Sequence, residues 1–260
     1  MKEELPFGLK RTFPPRVRAG LVHFLVSSLI AGLAFALVFG LWYPWPYPQL
    51  AGGQDLFFLL VSVDVTLGPL LTLAVFNPIK SRQHLIVDLA VIAVLQVGAL
   101  LYGLHTMFVA RPVALVFEVD RFRVISAAQV DAADLLNAPP QYRSLPLTGP
   151  WLLGTRASIG AKEQLDSVQF ALEGVDLAQR PRYWQTYDQS VAAVLQRARP
   201  VTLLLRQYPE HRARIEELLR SAALDAREAR FLPAQGRRSW VVLLNGAGEI
   251  RGFAPYEGFF

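Results

Sequence analysis

The chain has 260 residues, 53% hydrophobic and only 18% charged, with 26 Lys and Arg against 21 Asp and Glu. It has no cysteine, which excludes disulfides, thiolate catalysis and cysteine-based metal sites. The net charge of +5 comes with no nucleic-acid motif; in a chain this apolar, basic residues more often set membrane topology or meet anionic lipid.

The apolar residues are unevenly spread. Residues 1–110 hold the long apolar runs, and residues 111–260 read as a soluble domain rich in Arg and Glu. The change of composition at Arg111-Pro112 predicts two domains.

Residues 1–19 are polar and basic, with Lys2, Lys10, Arg11, Arg16 and Arg18 against Glu3 and Glu4. The first apolar run spans 20–42 and ends in Trp42-Tyr43-Pro44-Trp45-Pro46-Tyr47-Pro48. Tryptophan and tyrosine favour the headgroup level, and the prolines stop a helix. A signal peptide also starts basic and then apolar, and Ala34-Phe35-Ala36 mimics a cleavage site; the run continues through Leu41, which favours an uncleaved helix.

The loop 43–55 has no Lys or Arg. A second helix is predicted over 56–76, about the length that crosses a bilayer. It carries Asp64 near its middle and Gly68-Pro69 one turn later. A carboxylate at that depth costs about 2.5–3.5 kcal/mol, so it should face a partner rather than lipid. A proline there frees a backbone carbonyl that a neighbouring helix must satisfy. After a loop with Lys80 and Arg82, a third helix is predicted over 85–104. The basic N-terminus and the Lys80/Arg82 loop should lie in the cytoplasm, leaving the C-terminal domain outside, in the periplasm of a Gram-negative cell.

Depth follows from a rise of 1.5 Å per residue. Asp64 lies about 18 Å from the cytoplasmic end of its helix, Gln96 about 17 Å, and Asp88 only about 5 Å. Asp64 and Gln96 are therefore expected to face each other or a shared partner, and Asp64 and Asp88 not to form a dyad. The expected division is a cytoplasmic N-terminus (1–19), a three-helix transmembrane domain (20–106) and a small α+β periplasmic domain (107–260).

In that domain, 114–125 alternates as a strand or tight hairpin. A capped short helix follows from Ser126, with Asp131 and Asp134 suited to its N-terminus. Residues 151–155 suit a short strand, and 158–172 a helix with Ile159, Leu165, Val168 and Leu172 on one side. Arg180-Pro181-Arg182-Tyr183-Trp184 reads as loop and 187–197 as helix. Residues 201–205 are extended or enter the next helix, where Pro209 suits a first turn and Ile215, Leu218, Leu219 and Ala222 give an apolar face. The end, 239–253, reads as a hairpin turning through Asn245-Gly246-Ala247-Gly248.

The search for chemistry returns no catalytic, metal or cofactor site. The four histidines, His23, His84, His105 and His211, join no nucleophile or ligand pattern in sequence and read as structural or solvated. The glycine turn lacks the strand–loop–helix context of a phosphate cradle. An intramembrane aspartyl protease would need two aspartates at one level, and Val61-Ser62-Val63-Asp64 is not its motif.

The ordered motifs resemble a known family. They are Trp42-Tyr43-Pro44, Gly52-Gly53, Leu56-Phe57, Val63-Asp64-Val65, Leu67-Gly68-Pro69-Leu70, Asp88-Leu89 before Gln96, Tyr102-Gly103, Arg111-Pro112, and Val116-Phe117 with Asp120-Arg121-Phe122. Over residues 20–125 the chain is similar to the type IV pilin accessory proteins of the TfpX/TfpZ type. The resemblance implies an inner-membrane, non-enzymatic protein that acts as a chaperone or assembly factor for the major type IV pilin. It marks Asp88, Arg111, Pro112, Asp120 and Arg121 as motif residues at the membrane/domain junction. Combined with the buried polar groups, it suggests that Asp64, Gly68, Pro69 and Gln96 receive the pilin helix while 111–260 meets the pilin head. The other reading of this architecture is an accessory or sensor subunit of a different envelope assembly.

Overall fold

The structure is a computed structural model, and it describes residues 14–172 and 174–260. The expected roles of Lys2, Glu3, Glu4, Lys10 and Arg11 lie outside the described residues. Three helices are long and apolar enough to cross a membrane, in the stretches Pro15–Trp42, Gly53–Val75 and Arg82–Val109. They begin earlier than the expected 20, 56 and 85, because hydropathy marks the apolar stretch while backbone hydrogen bonding carries each helix into its polar flank. The chain divides into two compact units. One holds the described residues up to Phe35 together with Phe57–Leu104; the other holds Ala36–Leu56 together with His105–Phe260.

In the helical unit, α1 (Pro15–Leu37), most of α3 (Gly53–Val75) and most of α4 (Arg82–Val109) turn their large apolar side chains outward. What α1 buries is small: Gly20, Ser27 and Ala34, spaced by seven residues. Small residues let helix backbones approach, which is how helices associate when both interior and surroundings are apolar. A Cβ on Gly20 would stand 2.7 Å from Leu73 Cγ.

The second unit is built on a mixed sheet of eight strands among the described residues, in the order β4-β3-β1-β2-β6-β7-β8, with β5 paired to β6. β1 (Pro112–Glu118) and β2 (Arg121–Ser126) form a tight hairpin, the second of the two readings, pairing from Glu118↔Arg121 back to Pro112↔Ser126. β1 also pairs in parallel with β3 (Trp151–Thr155), and β3 antiparallel with β4 (Trp184–Thr186). β2 pairs in parallel with β6 (Arg230–Gln235), β6 with β7 (Ser239–Leu244), and β7 with β8 (Ile250–Ala254). β5 is the dipeptide Arg199–Pro200.

Both faces of the sheet are covered, and the pleat deals side chains alternately to each. Leu115, Phe117, Trp240, Val242 and Leu244 enter one core; Val241 and Leu243 enter a second with Phe231; Ala114, Val116 and Leu153 enter a third. Tyr47 and Leu50, from the short helix α2 (Tyr47–Leu50), belong to the first core. The Leu50 carbonyl accepts from the Arg237 and Arg238 amides at 2.9 and 3.3 Å, and Arg238 pairs with Asp55 at 3.2 Å. The loop before α3 is thus a piece of the sheet unit rather than a bare connector.

The helices of this unit are short: α5 (Ala132–Leu135), α6 (Gly160–Leu172), α7 (Val191–Arg197), α8 (Val201–Gln207) and α9 (Arg212–Ser221). Ser126 caps a 3-10 turn in a capping box with Gln129, and Asp131 caps α5 by accepting from the Ala133 amide at 2.9 Å. Asp134 stands in the first turn of α5, as expected. It is buried and paired with Arg180 at 3.5 Å and with Arg182, so the stretch read as plain loop clamps α5 in place. Residues 201–205 are helical, resolving that choice. Ile159, Leu165, Val168 and Leu172 are all exposed, so the apolar side of α6 faces away from the core.

Candidate functional site

The polar side chains of the helical unit converge. Gln96 of α4 donates from Nε2 to the Asp64 carbonyl at 3.1 Å and to its carboxylate Oδ1 at 3.3 Å. Depth had set these two residues level, and the structure joins them. Among the described residues, Gln96 is the carboxylate's sole hydrogen-bond donor. Both Asp64 atoms accept, so the amide nitrogen must point there and Oε1 points the other way. Oε1 accepts from His23 Nε2 at 2.7 Å, which places the imidazole proton on Nε2. In the neutral ring Nδ1 then accepts from the Thr72 hydroxyl at 2.6 Å. With the ring neutral the donors run in one direction, Thr72 to His23 to Gln96 to Asp64, and bonds aligned in this way polarise one another.

Gly68 makes the arrangement possible. It is buried, and a Cβ there would run into the Gln96 amide. Pro69, also buried, removes the N–H that would otherwise bond the Val65 carbonyl. Asp64, Gly68, Pro69 and Gln96 are therefore brought together, with Gly68 and Pro69 packed inside the bundle's own contact and Asp64 and Gln96 half-buried.

His23 is the member that sequence reasoning missed. α1 starts at Pro15, which sets His23 about 12 Å along the helix. The available signal was spacing: His23 follows Gly20 by three residues and precedes Ser27 by four, on the small-residue seam.

The remaining motif residues do not share one site. Asp88 pairs with Lys80 at 2.7 Å near the start of α4. Arg111 is buried; it donates to the Phe108 carbonyl at 2.7 Å and to Pro146 at 3.2 Å, and lies 3.8 Å over the Phe108 ring. Burial lowers its pKa, and the nearby Tyr43 hydroxyl opposes this. Pro112 opens β1. Asp120 and Arg121 pair at 2.8 Å in the turn between β1 and β2, and Arg121 lies 4.8 Å over Phe259. These residues hold their own local structure. Among the described residues no group of three His, Asp or Glu is placed to hold a metal.

The fold and the polar cluster define a membrane-anchored protein whose three helices are joined by hydrogen bonds and whose bulk is a mixed-sheet domain. The family described as Fimbrial assembly protein FimB matches residues 11–52. The chain is 37% identical over 241 residues to a fimbrial assembly protein of serogroup I from Dichelobacter nodosus, covering 92% of this chain and 94% of that one. It is 36% identical, over the same shares, to the serogroup E1 protein of that organism. A third relative there, for serogroups C1 and C2, is 42% identical over 120 residues, 46% of this chain and 88% of that one. No solved structure matches. The chain belongs to the fimbrial assembly protein family, the pilin accessory group that its motifs resemble.

Proposed function

We propose that this protein acts in fimbrial assembly as a non-catalytic accessory factor that stabilises the major pilin in the inner membrane before it joins the pilus. The observation that carries this is likeness over 92% of the chain to relatives named for fimbrial assembly. The charge pattern supports the orientation: Arg16, Arg18, Lys80 and Arg82 sit at the ends of spans that face the cytoplasm, and residues 111–260 then lie in the periplasm. The intramembrane contact centres on Asp64. Its carboxyl group is half-buried and met by one amide at 3.3 Å, which leaves acceptor capacity open, so a pilin helix offering a donor there gains a hydrogen bond.

The test is pilin recovery with Asp64→Leu and Asp64→Asn, each at matched protein level. Asp64→Leu should lower co-purified pilin about threefold or more, the worth of one membrane hydrogen bond, and reduce piliation. Unchanged recovery and piliation in both variants would remove Asp64 from the contact.

A further inference from the structure

A groove of about 550 Å³ runs along the helical unit between α1 and the facing parts of α3 and α4. Its walls are Val22, Val26, Phe76, Leu89 and Ala93, and Arg18 stands at one end. His23 and Thr72 reach its floor, already bonded to each other. The walls belong to helices apolar enough to cross a membrane, so the groove opens where acyl chains lie. Arg18 is exposed and makes no ion pair among the described residues.

We propose that this groove binds one acidic phospholipid, its phosphate on Arg18 and one acyl chain along Val22, Val26 and Ala93. A guanidinium presents a planar fork of N–H donors that matches phosphate oxygens. The rise from Arg18 to Val26 is about 12 Å, so headgroup and chain contacts fall at successive depths on one helix. Charge selects the headgroup: a choline lipid would set a second cation beside Arg18, and an acidic lipid would not. The site is distinct from the Asp64 carboxylate, and the inference stands whether or not pilin is the partner.

The experiment is native mass spectrometry of the full chain released from vesicles of mixed phosphatidylglycerol and phosphatidylcholine. The wild-type protein should retain one phosphatidylglycerol in preference to phosphatidylcholine. Arg18→Gln should lower that retention about fivefold, the effect of one basic group on an acidic headgroup. Val22→Trp, which fills the groove, should lower it as well, and Arg82→Gln should leave it unchanged. Equal retention of both lipids, or undiminished retention in Arg18→Gln and Val22→Trp alike, overturns the proposal. So does a photocrosslinker at position 22 that captures polypeptide instead of lipid.

Discussion

The two units bury different sets of residues: the helical unit mostly small and polar ones, with Phe57 and Ile92 beside them, and the sheet unit large apolar ones. In the helical unit the buried or half-buried set includes Gly20, Ser27, Ala34, Gly68 and Thr72, with His23, Asp64 and Gln96 bonded among them, while leucines and valines face out. In the sheet unit Phe231, Val242, Leu244 and Ile215 are inside and Arg, Glu and Gln cover the outside. One rule accounts for both. Each side chain goes where its surroundings cost least, and the surroundings are lipid in one case and water in the other. In lipid, burying a leucine gains little, so close approach and hydrogen bonds must hold the helices together.

That contrast can be broken most severely in the sheet unit. Phe231→Ala removes a fully buried ring and should cost about 3–5 kcal/mol. All five tryptophans lie in this unit, so their fluorescence during urea unfolding reports the loss. The matched deletion in the helical unit, Leu95→Ala at 65% exposure, should stay within about 0.5 kcal/mol. Equal costs would mean that the helical unit also depends on apolar burial. Next in size is added bulk. Gly68→Val drives a side chain into Gln96 and should cost about 1–3 kcal/mol, read as weaker resistance of the helical circular dichroism signal to detergent unfolding. Gly98→Val, with open space around it, should be silent in the same assay.

The smallest expected effect concerns Glu118. It is 7% exposed, Oε1 accepts from the Leu177 amide at 2.8 Å, and Oε2 has no partner among the described residues. Burial first, and Asp176 second, raise its pKa above the usual 4.5. A carboxyl raised in the folded state binds its proton more tightly there, so its contribution is full below 4.5 and declines as pH climbs through the folded value. Urea midpoints of the wild type should show that decline, and Glu118→Gln, which cannot ionise, should flatten it. Parallel pH profiles for the two proteins would refute this account of Glu118.

Much of this was legible in the chain. Hydropathy located the three spans, and helix rise alone put Asp64 and Gln96 at one level. The closing hairpin and the caps at Ser126 and Asp131 followed from local chemistry. What escaped depended on contacts distant in sequence. Asp134 was legible as a helix-start carboxylate, but its pairing with Arg180 and Arg182 was not. β6 was hidden because Pro233 argues against a central strand. The ladder explains the exception: β2 pairs with β6 only at Ala234 and Gln235, and β5 only at Arg230 and Phe231, so Pro233 falls in the gap where no amide is required on that side.

The place of Tyr47 and Leu50 in the sheet unit has a consequence for how the protein is made and inherited. The ribosome completes α2 long before β6 and β7 exist, so these side chains wait through two further spans for the strands that will cover them. The sheet unit is therefore not a cassette beginning at Arg111. An exchange of C-terminal halves between relatives keeps a complete core only if the Ala36–Leu56 segment travels with it, and recombination within this family should respect that pairing across the intervening residues 57–104.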